Sequence, residues 1–341
     1  MSHVIAIDRF LQQAAMTPVI DVRSPTEFAQ GHIPGAHNLP LFNDDERAEV
    51  GTLYKQKGRI QAIQRGLEIA GTKMRLFTNF ALRLKSSELL LYCWRGGMRS
   101  ASMAWLFEAI DIRCTLLERG YKAYRTHILA SFSKPLKMVL LGGFTGGGKT
   151  EILNALHTYG AQVLDLEHLA NHKGSAFGGI GQAQQPTTEQ FENLIATQCA
   201  QIDPFQPLYV EDESRNVGRC SIPLPFWEQM RSAPLMCIQT PRPHRTHRLM
   251  QEYAGFDTEL LCEAIKKIEK RLGFDRCNEA SLACRQGERQ KALEICLDYY
   301  DKAYANQLYE RFGPEWERQL PQFTPHFPVD TAQIETLISS I

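Results

Sequence analysis

The feature that most constrains the fold is the glycine-rich octapeptide Gly143-Phe144-Thr145-Gly146-Gly147-Gly148-Lys149-Thr150. It fits the spacing GxxxxGK[ST], follows the apolar run Met138–Leu141 and precedes a stretch, Glu151–His157, with helical character. In a strand, loop and helix of this kind, the backbone N–H groups of the loop surround phosphate oxygens. Motif and flanks agree, so the octapeptide predicts a phosphate-binding loop.

Within this loop each residue type has an expected part. We expect the backbone amides to hold phosphate oxygens, Lys149 to neutralise them and Thr150 to be available to Mg²⁺. Two groups of acids follow predicted strands further along the chain and are candidates for metal binding or general base catalysis, or are solvated loop acids. The candidate phosphate-binding residues are Gly143, Thr145, Gly146, Gly147, Gly148, Lys149 and Thr150, and the candidate acids are Asp165, Glu167 and Asp212, with Glu211 and Glu213 beside them.

The length of 341 residues indicates two domains, because single hydrophobic cores stop growing near about 250–300 residues. Apolar runs of strand length alternate with helical stretches, which indicates α/β sheets in both halves. The polar connection 131–135 places the boundary near residue 134, giving domains 1–134 and 135–341 with a helical region over about 258–341. Strands are predicted at 19–22, 88–92, 113–117, 138–141, 162–165, 207–211 and 235–238, helices at 7–16 and 100–110, a polar segment at 43–58 and a helical stretch from there to about 84.

Composition excludes several classes of protein. The chain is 43% hydrophobic and 22% charged, which is typical of a globular protein and not of a disordered or collagenous one. It has no apolar run of membrane-spanning length, and Asp8 and Arg9 interrupt what a signal peptide would keep apolar, so we expect a cytoplasmic protein with no membrane contact. The nine cysteines show no CxxC pair, so we expect reduced thiols.

The net charge of zero conceals two unlike halves. Residues 1–134 carry 18 Lys and Arg against 12 Asp and Glu, whereas the remaining 207 residues carry 20 against 26. The first half is therefore basic, and the second half is acidic.

A second loop with chemical character begins at Cys93, at the end of the predicted strand 88–92. The sequence Cys93-Trp94-Arg95-Gly96-Gly97-Met98-Arg99-Ser100 brings two glycines, two arginines and a helix start to one cysteine. Backbone N–H groups, the helix N-terminus and the charges of Arg95 and Arg99 all favour a thiolate, which is the nucleophilic form of cysteine. We therefore predict Cys93, Arg95 and Arg99 as catalytic residues.

Residues 1–130 resemble a rhodanese domain. The resemblance is carried in order by residues 19–28 (VIDVRSPTEF), 31–40 (GHIPGAHNLP), the Cys93 loop and residues 117–121 (LERGY). Rhodaneses pass sulfur through a cysteine persulfide, which implies a role of that type for Cys93. Cys93 and Arg99 have the spacing Cys-x5-Arg, whereas many single-domain rhodaneses have Cys-x4-Arg. The longer spacing is also that of cysteine phosphatases.

Residues 19 to about 280 resemble the tRNA 2-selenouridine synthase family, a rhodanese domain fused to a P-loop domain, and the helical end beyond about residue 290 shows little of this resemblance. This wider resemblance is carried by residues 43–52, 54–58, the two loops, 120–123, 165–167, 172–178, 191–193, 211–215 and 270–273. It implies an enzyme that converts the wobble (position 34) 2-thiouridine of tRNA to 2-selenouridine through an S-geranyl intermediate. Geranyl diphosphate and selenophosphate are then co-substrates, with Mg²⁺ as an accessory ion and no tightly bound organic cofactor.

The resemblance leaves several points open. Cys93 either carries selenium as a selenosulfide or positions selenophosphate through Arg95 and Arg99. Partners are tRNA and a supplier of selenophosphate, and the protein is expected to be a monomer or weak oligomer. For tRNA contacts we expect Lys55, Lys57 and Arg59, the basic residues between Arg242 and Arg276, and Trp94 or Tyr121 as a platform for an unstacked base.

Two other functional classes compete with this interpretation. One is a sulfurtransferase or Cys-x5-Arg phosphatase fused to an ATPase or kinase. The other is a nonenzymatic P-loop regulator with a degenerate rhodanese module, which would usually lack the cysteine.

Overall fold

The computed structural model describes residues 3–340, which fall into two compact units. The first unit ends at Ser131 and also includes Glu192–Thr197, and the second unit holds the other residues. Each unit is built on a five-stranded parallel sheet, so the predicted α/β fold class is confirmed. No helix among the described residues is long and apolar enough to cross a membrane.

The first unit has the sheet order β1-β5-β4-β2-β3, with β4 at its centre. The leucines and the tyrosine of β4 are all buried, as a strand covered by helices on both faces of a parallel sheet requires. The elements are β1 (His3–Ile5), α1 (Ile7–Ala14), β2 (Val19–Asp21), α2 (Pro25–Gln30), β3 (His37–Asn38), α3 (Asp44–Lys57), α4 (Arg59–Gly71), α5 (Met74–Arg83), β4 (Glu88–Tyr92), α6 (Met98–Glu108), β5 (Arg113–Leu117) and α7 (Gly120–Ser131).

The predicted strands of this unit are confirmed, and two elements differ from expectation. The polar segment 43–58 is helix α3, which begins in a capping box between Asn43 and Glu46. None of its residues is buried, so the apolar periodicity that identifies a helix is missing there. Strand β1 was not predicted, because a three-residue edge strand whose Val4 is 54% exposed has no apolar pattern to recognise.

A buried ion pair fixes the end of β2. The guanidinium of Arg23 donates through Nε and Nη2 to the Asp21 carboxylate at 3.0 and 2.6 Å, and neither side chain is exposed. Arg23 also donates to the Gly31 carbonyl oxygen at 2.6 Å, and its guanidinium carbon lies 3.7 Å from the ring centroid of Tyr121. The pair therefore joins β2, the turn after α2 and helix α7.

The second unit has the sheet order β12-β11-β6-β8-β7, with β6 at its centre. A separate antiparallel pair is formed by β9 and β10. Helix α10 (Thr188–Cys199) belongs to this unit only at its two ends, since Glu192–Thr197 belong to the first unit. The other elements are β6 (Met138–Gly143), α8 (Lys149–Tyr159), β7 (Gln162–Leu164), α9 (Leu166–Ala170), β8 (Leu208–Glu211), β9 (Asn216–Val217), β10 (Cys220–Ser221), α11 (Leu224–Ser232), β11 (Leu235–Ile238), α12 (Arg242–Tyr253), α13 (Thr258–Lys267), α14 (Glu269–Leu272), α15 (Phe274–Arg285), α16 (Arg289–Phe312), α17 (Trp316–Gln319), β12 (Gln322–Phe323) and α18 (Thr331–Ser339).

The four predicted strands of this half are β6, β7, β8 and β11. The chain after Thr258 is helical as far as Phe312, and it then returns to the sheet, where β12 pairs with β11. Strand β12 has two residues, too few to show the alternation that identifies a strand. The nine cysteines are all free thiols, as expected.

We expect Asp21→Asn to destabilise the first unit by about 3–5 kcal/mol, because it leaves the buried Arg23 charge without a counter-ion. Amide hydrogen exchange of β2 and β4 under native conditions measures this local loss of stability. The matched control is Arg113→Ala, which removes the ion pair between Arg113 and Glu88, whose side chains are 77% and 50% exposed. The free energy of opening that the same exchange rates report should then change by less than about 1 kcal/mol. Equal effects of the two substitutions would contradict the role assigned to the buried pair.

Candidate functional site

Cys93 lies where β4 ends, and its sulfur is held by the first turn of α6. The Gly97 amide donates to Sγ at 3.2 Å, and the Ser100 Oγ lies 3.3 Å from it. Gly97 is the N-cap of α6, so Sγ sits at the positive end of that helix. The sequence correctly indicated a cysteine between a strand and a helix N-terminus, whereas the contact from Ser100 emerges only from the structure.

Helix α7 packs directly against the backbone of this loop. The amide of Tyr121 donates to the Cys93 carbonyl oxygen at 2.8 Å, and the amide of Lys122 donates to that of Trp94 at 3.0 Å. At Gly120 the φ angle is +56°, and a Cβ there would lie 2.1 Å from the Cys93 carbonyl oxygen. Position 120 must therefore be glycine if α7 is to hold the loop in place.

The two predicted arginines of this loop differ in their surroundings. Arg95 is exposed, whereas the Arg99 guanidinium donates to both oxygens of Glu27, at 2.6 and 3.4 Å. Burial opposes ionisation of Glu27, but the hydrogen bonds and charge of Arg99 outweigh it and lower the Glu27 pKa. Glu27 thus orients Arg99 and balances its charge, a contact that sequence analysis did not predict.

The two aromatic residues considered for base stacking also differ. Trp94 is 38% exposed beside Cys93, whereas Tyr121 is fully buried under Arg23. The expectation that Tyr121 offers a stacking platform is wrong, because its ring already belongs to the core, and Trp94 alone stays available.

The glycine-rich loop connects β6 to α8 in the second unit. Gly148 has φ +86° and is the N-cap of α8, and Lys149 Nζ lies 3.4 Å from the Gly143 carbonyl oxygen. The Thr240 hydroxyl, just after β11, donates to the Gly147 carbonyl oxygen at 2.8 Å. All the predicted phosphate-binding residues line one cleft of about 570 Å³.

Helix α16 supports this loop from the far end of the sequence. The Gly143 amide donates to the Tyr304 hydroxyl at 2.9 Å, and that hydroxyl donates to Asp212 Oδ2 at 3.2 Å. Arg311 donates to the other Asp212 oxygen at 3.1 Å. Asp212, a candidate metal ligand or base from the sequence, is therefore engaged on both oxygens in a network that fixes the start of the loop.

The arginines after β11 lie around the same loop. Arg245 is buried, pairs with Asp301 of α16 at 2.8 Å and donates to the Thr145 carbonyl oxygen at 3.1 Å. Arg248 pairs with Glu151 and lines the cleft, whereas Arg242 pairs with Asp298 away from it. Of the three, only Arg248 is positioned to meet a bound phosphate.

The remaining candidate acids are of two kinds. Asp165 caps α9 by accepting from the His168 amide at 2.7 Å, and Glu211 is fully buried and accepts from the Leu166 amide at 3.0 Å. Glu167 and Glu213 instead face the cleft. Burial, followed by the neighbouring Glu167 charge, raises the pKa of Glu213 to about 8. The two carboxyls therefore share one proton near neutral pH.

The donor set of the cleft fits a hard cation only together with a ligand. Thr150, Glu167 and Glu213 line it and offer oxygen donors of the kind that Mg²⁺ binds. Within residues 3–340, however, no group of three or more His, Cys, Asp or Glu side chains could hold a metal by itself. Mg²⁺ would thus need oxygens of a bound phosphate as well, which is how it commonly binds in phosphate sites.

Comparison with known proteins adds independent information. Residues 7–127 match the profile of the rhodanese-like domain, and residues 136–322 match that of the tRNA 2-selenouridine synthase AAA domain.

Among curated proteins, tRNA 2-selenouridine synthases of Pseudomonas putida (strain GB-1) and Pseudomonas fluorescens (strain Pf-5) are 35% and 37% identical. Each alignment covers 85% of this chain and 87% or 88% of the relative. The tRNA 2-selenouridine synthase of Bdellovibrio bacteriovorus is 41% identical over 69% of this chain and 64% of its own length. With a sulfur-bearing loop and a phosphate-binding loop in its two units, the chain belongs to the tRNA 2-selenouridine synthase family.

Proposed function

We propose that this protein replaces sulfur by selenium in the 2-thiouridine at the wobble position (position 34) of tRNA, through an S-geranyl intermediate. The observation that carries the proposal is the presence in one chain of two distinct loops at helix N-termini, one with a cysteine sulfur and one with a lysine. Two loops of different chemistry support two consecutive reactions, with geranyl diphosphate used in the first and selenophosphate in the second.

The first reaction, geranyl transfer, is assigned to the loop Gly143–Thr150. The sulfur of 2-thiouridine attacks C1 of the geranyl chain, a C–S bond forms, the C1–O bond breaks and diphosphate leaves, while the base gives its N3 proton to water. Lys149 and the loop amides stabilise the charge that builds on the leaving diphosphate. Thr150 and the Glu167–Glu213 pair would hold Mg²⁺, which would supply further positive charge for the departure of diphosphate.

The second reaction, selenium delivery, is assigned to the Cys93 loop. The Cys93 sulfur attacks the phosphorus of selenophosphate, so that an S–P bond forms, the P–Se bond breaks and hydroselenide leaves. Hydroselenide attacks C2 of the geranylated base and expels geranylthiolate, its proton passes to N3, and water hydrolyses the S–P bond to give phosphate. The Cys-x5-Arg spacing and the Ser100 contact to Sγ support this route over a selenosulfide on Cys93.

Basic and aromatic residues near the Cys93 loop support tRNA as the substrate. Lys55, Lys57 and Arg59 are exposed at the junction of α3 and α4, where Tyr54 is 60% exposed. Arg59 Nη2 lies 3.9 Å from the sulfur of Met98, the first residue of α6. Phosphate contacts from these cations would bring an anticodon loop to Trp94 and Cys93. We further propose that the protein works as a monomer or weak oligomer, supplied with selenophosphate by another enzyme.

We expect Cys93→Ser to abolish selenation and to leave S-geranylated tRNA, because hydroxyl is a far weaker nucleophile than thiolate. We expect Lys149→Ala to lower the rate of geranylation by about 100-fold or more, because it removes a full charge from the diphosphate cradle. Mass analysis of the wobble nucleoside, after incubating thiolated tRNA with geranyl diphosphate and selenophosphate, measures both steps.

Two matched variants control this experiment. Cys114→Ala removes another buried thiol of the first unit, and Lys302→Ala removes an exposed lysine of α16, and both should leave both steps intact. Equal loss of the two steps in Cys93→Ser and in Lys149→Ala would contradict the division of labour. Turnover of ATP without any change in the tRNA would favour the alternative of a sulfurtransferase or phosphatase fused to an ATPase.

The shared proton of Glu167 and Glu213 predicts a pH dependence of stability. Between the unfolded value of 4.5 and the folded value of about 8, the folded protein holds a proton that the unfolded chain releases. The free energy of unfolding therefore falls as pH rises through this window, and Glu213→Gln should remove this part of the fall. Calorimetric unfolding from pH 5 to 8.5 without divalent cations measures it, with the exposed Glu228→Gln as a control. If the free energy of unfolding fell with pH as steeply in Glu213→Gln as in the wild type, a shared proton would be excluded.

A further inference from the structure

The second unit contains an apolar cavity that the phosphate chemistry does not use. It lies among helices α12, α13, α15 and α16, and its volume is about 60 Å³. Its wall is mostly aliphatic and aromatic, with Leu261, Ile265, Ala292, Leu293 and Leu297 among its residues. A cavity of this character is closed to polar ligands and favours hydrocarbon.

The cavity adjoins the cleft of the phosphate-binding loop. Thr145 of that loop borders both spaces, and so do Ser175, Leu249, Tyr253 and Tyr300. A single ligand can therefore place an anionic head against the loop and an apolar tail among the helices.

Polar groups in the cavity wall are already engaged with other parts of the protein. Arg289 donates to the carbonyl oxygens of Ala254 and Phe256 at 2.6 and 3.1 Å, and the Ala176 amide donates to the Tyr300 hydroxyl at 2.9 Å. A nucleoside base would need such groups free for its own hydrogen bonds. The wall thus suits an aliphatic chain and not a base.

We propose that this cavity binds the hydrocarbon chain of an isoprenoid diphosphate whose diphosphate lies on the loop Gly143–Thr150. The proposal rests on the proposed function, in which such a molecule is the alkyl donor, and it assigns the residues that select its chain.

Two thiols in the wall have properties that fit an alkylating ligand. Burial, followed by the neighbouring Cys262, raises the pKa of Cys284 to about 11, and burial, followed by the neighbouring Cys277, raises that of Cys296 to about 12. Both are therefore almost wholly in the thiol form at neutral pH, and the thiolate is the nucleophile. An allylic diphosphate can lie beside them without alkylating them.

The size of the cavity sets an expectation about chain length. A group of the size of one water molecule occupies about 10–15 Å³ of cavity volume. The cavity of about 60 Å³ therefore holds roughly four to six such groups, close to the five carbons of one isoprene unit. A second unit must displace a wall residue, and the half-buried Met250, unbranched and flexible, is suited to move.

The first test fills the cavity. Ala292→Phe should weaken the binding of geranyl diphosphate to the full chain by about tenfold or more, since each CH₂ kept from the cavity costs about 0.8 kcal/mol, and should leave inorganic diphosphate binding unchanged. Isothermal titration calorimetry measures the dissociation constants of geranyl diphosphate and of inorganic diphosphate. Ala283→Phe is the matched control, because Ala283 is equally buried in the same helical cluster but lies outside the cavity wall, so it should not discriminate between the ligands.

The second test enlarges the cavity and remains decisive if Ala292→Phe does not fold. Leu293→Ala should raise kcat/KM for farnesyl diphosphate relative to geranyl diphosphate by about tenfold in tRNA alkylation. The outcomes separate the two proposals. A wild-type protein that alkylates tRNA with geranyl diphosphate, but whose variants keep its ligand and chain-length preferences, would overturn the assignment of the cavity alone. A wild-type protein that alkylates no tRNA would overturn the proposed function.

Discussion

The Cys93 loop and the glycine-rich loop both depend on a central strand that is buried on both faces. Strands β4 and β6 each lie in the middle of a parallel sheet, and their side chains are almost entirely removed from water. Such a strand cannot shift without exposing apolar surface, so the residue at its carboxyl end is fixed in space. In each unit that residue leads directly into a loop and a helix N-terminus, where backbone N–H groups and the helix dipole attract anions. The same arrangement thus suits both the sulfur nucleophile proposed for one unit and the phosphate cradle proposed for the other.

Sequence analysis predicted these local arrangements well, because strand, loop and helix are contiguous in the chain. It placed Cys93 correctly at the end of β4 and predicted the central strands nearly to the residue. It put Lys149 in the loop, two residues before the predicted helix, whereas α8 begins at Lys149 itself. It did not find Glu27, which lies 72 residues from its partner Arg99, or Tyr304, which lies 161 residues from Gly143. Nothing in the local pattern around Glu27 or Tyr304 marks it as a partner, because ordinary helices also carry acids and tyrosines. Long-range contacts of this kind follow from topology, which a single sequence does not display.

The acids of the second unit show how surroundings separate residues of one type. Asp165, Glu167, Asp212 and Glu213 have similar positions after strands, and sequence analysis treated them alike. In the structure one caps a helix, one is held by an arginine and a tyrosine, and two lie at the wall of the cleft, where burial raises the pKa of both carboxyls. Asp212, Glu167 and Glu213 all line the cleft that holds Lys149, but both Asp212 oxygens already accept hydrogen bonds from Tyr304 and Arg311, so the three acids differ in their partners and not in their distance along the chain from a strand.

The distance along the chain between the phosphate loop and helix α16 has a consequence for biosynthesis. A ribosome releases β6 and the glycine-rich loop well before it has made Tyr304 and Arg311. Until then the Gly143 amide and Asp212 lack the partners that align them, and the edge strand β12 has not joined the sheet. Because folding proceeds domain by domain during translation, a nascent chain can complete the sheet around β4 while the second sheet is still open. The contacts of Tyr304 and Arg311 that align the start of the glycine-rich loop therefore form only after translation has passed α16.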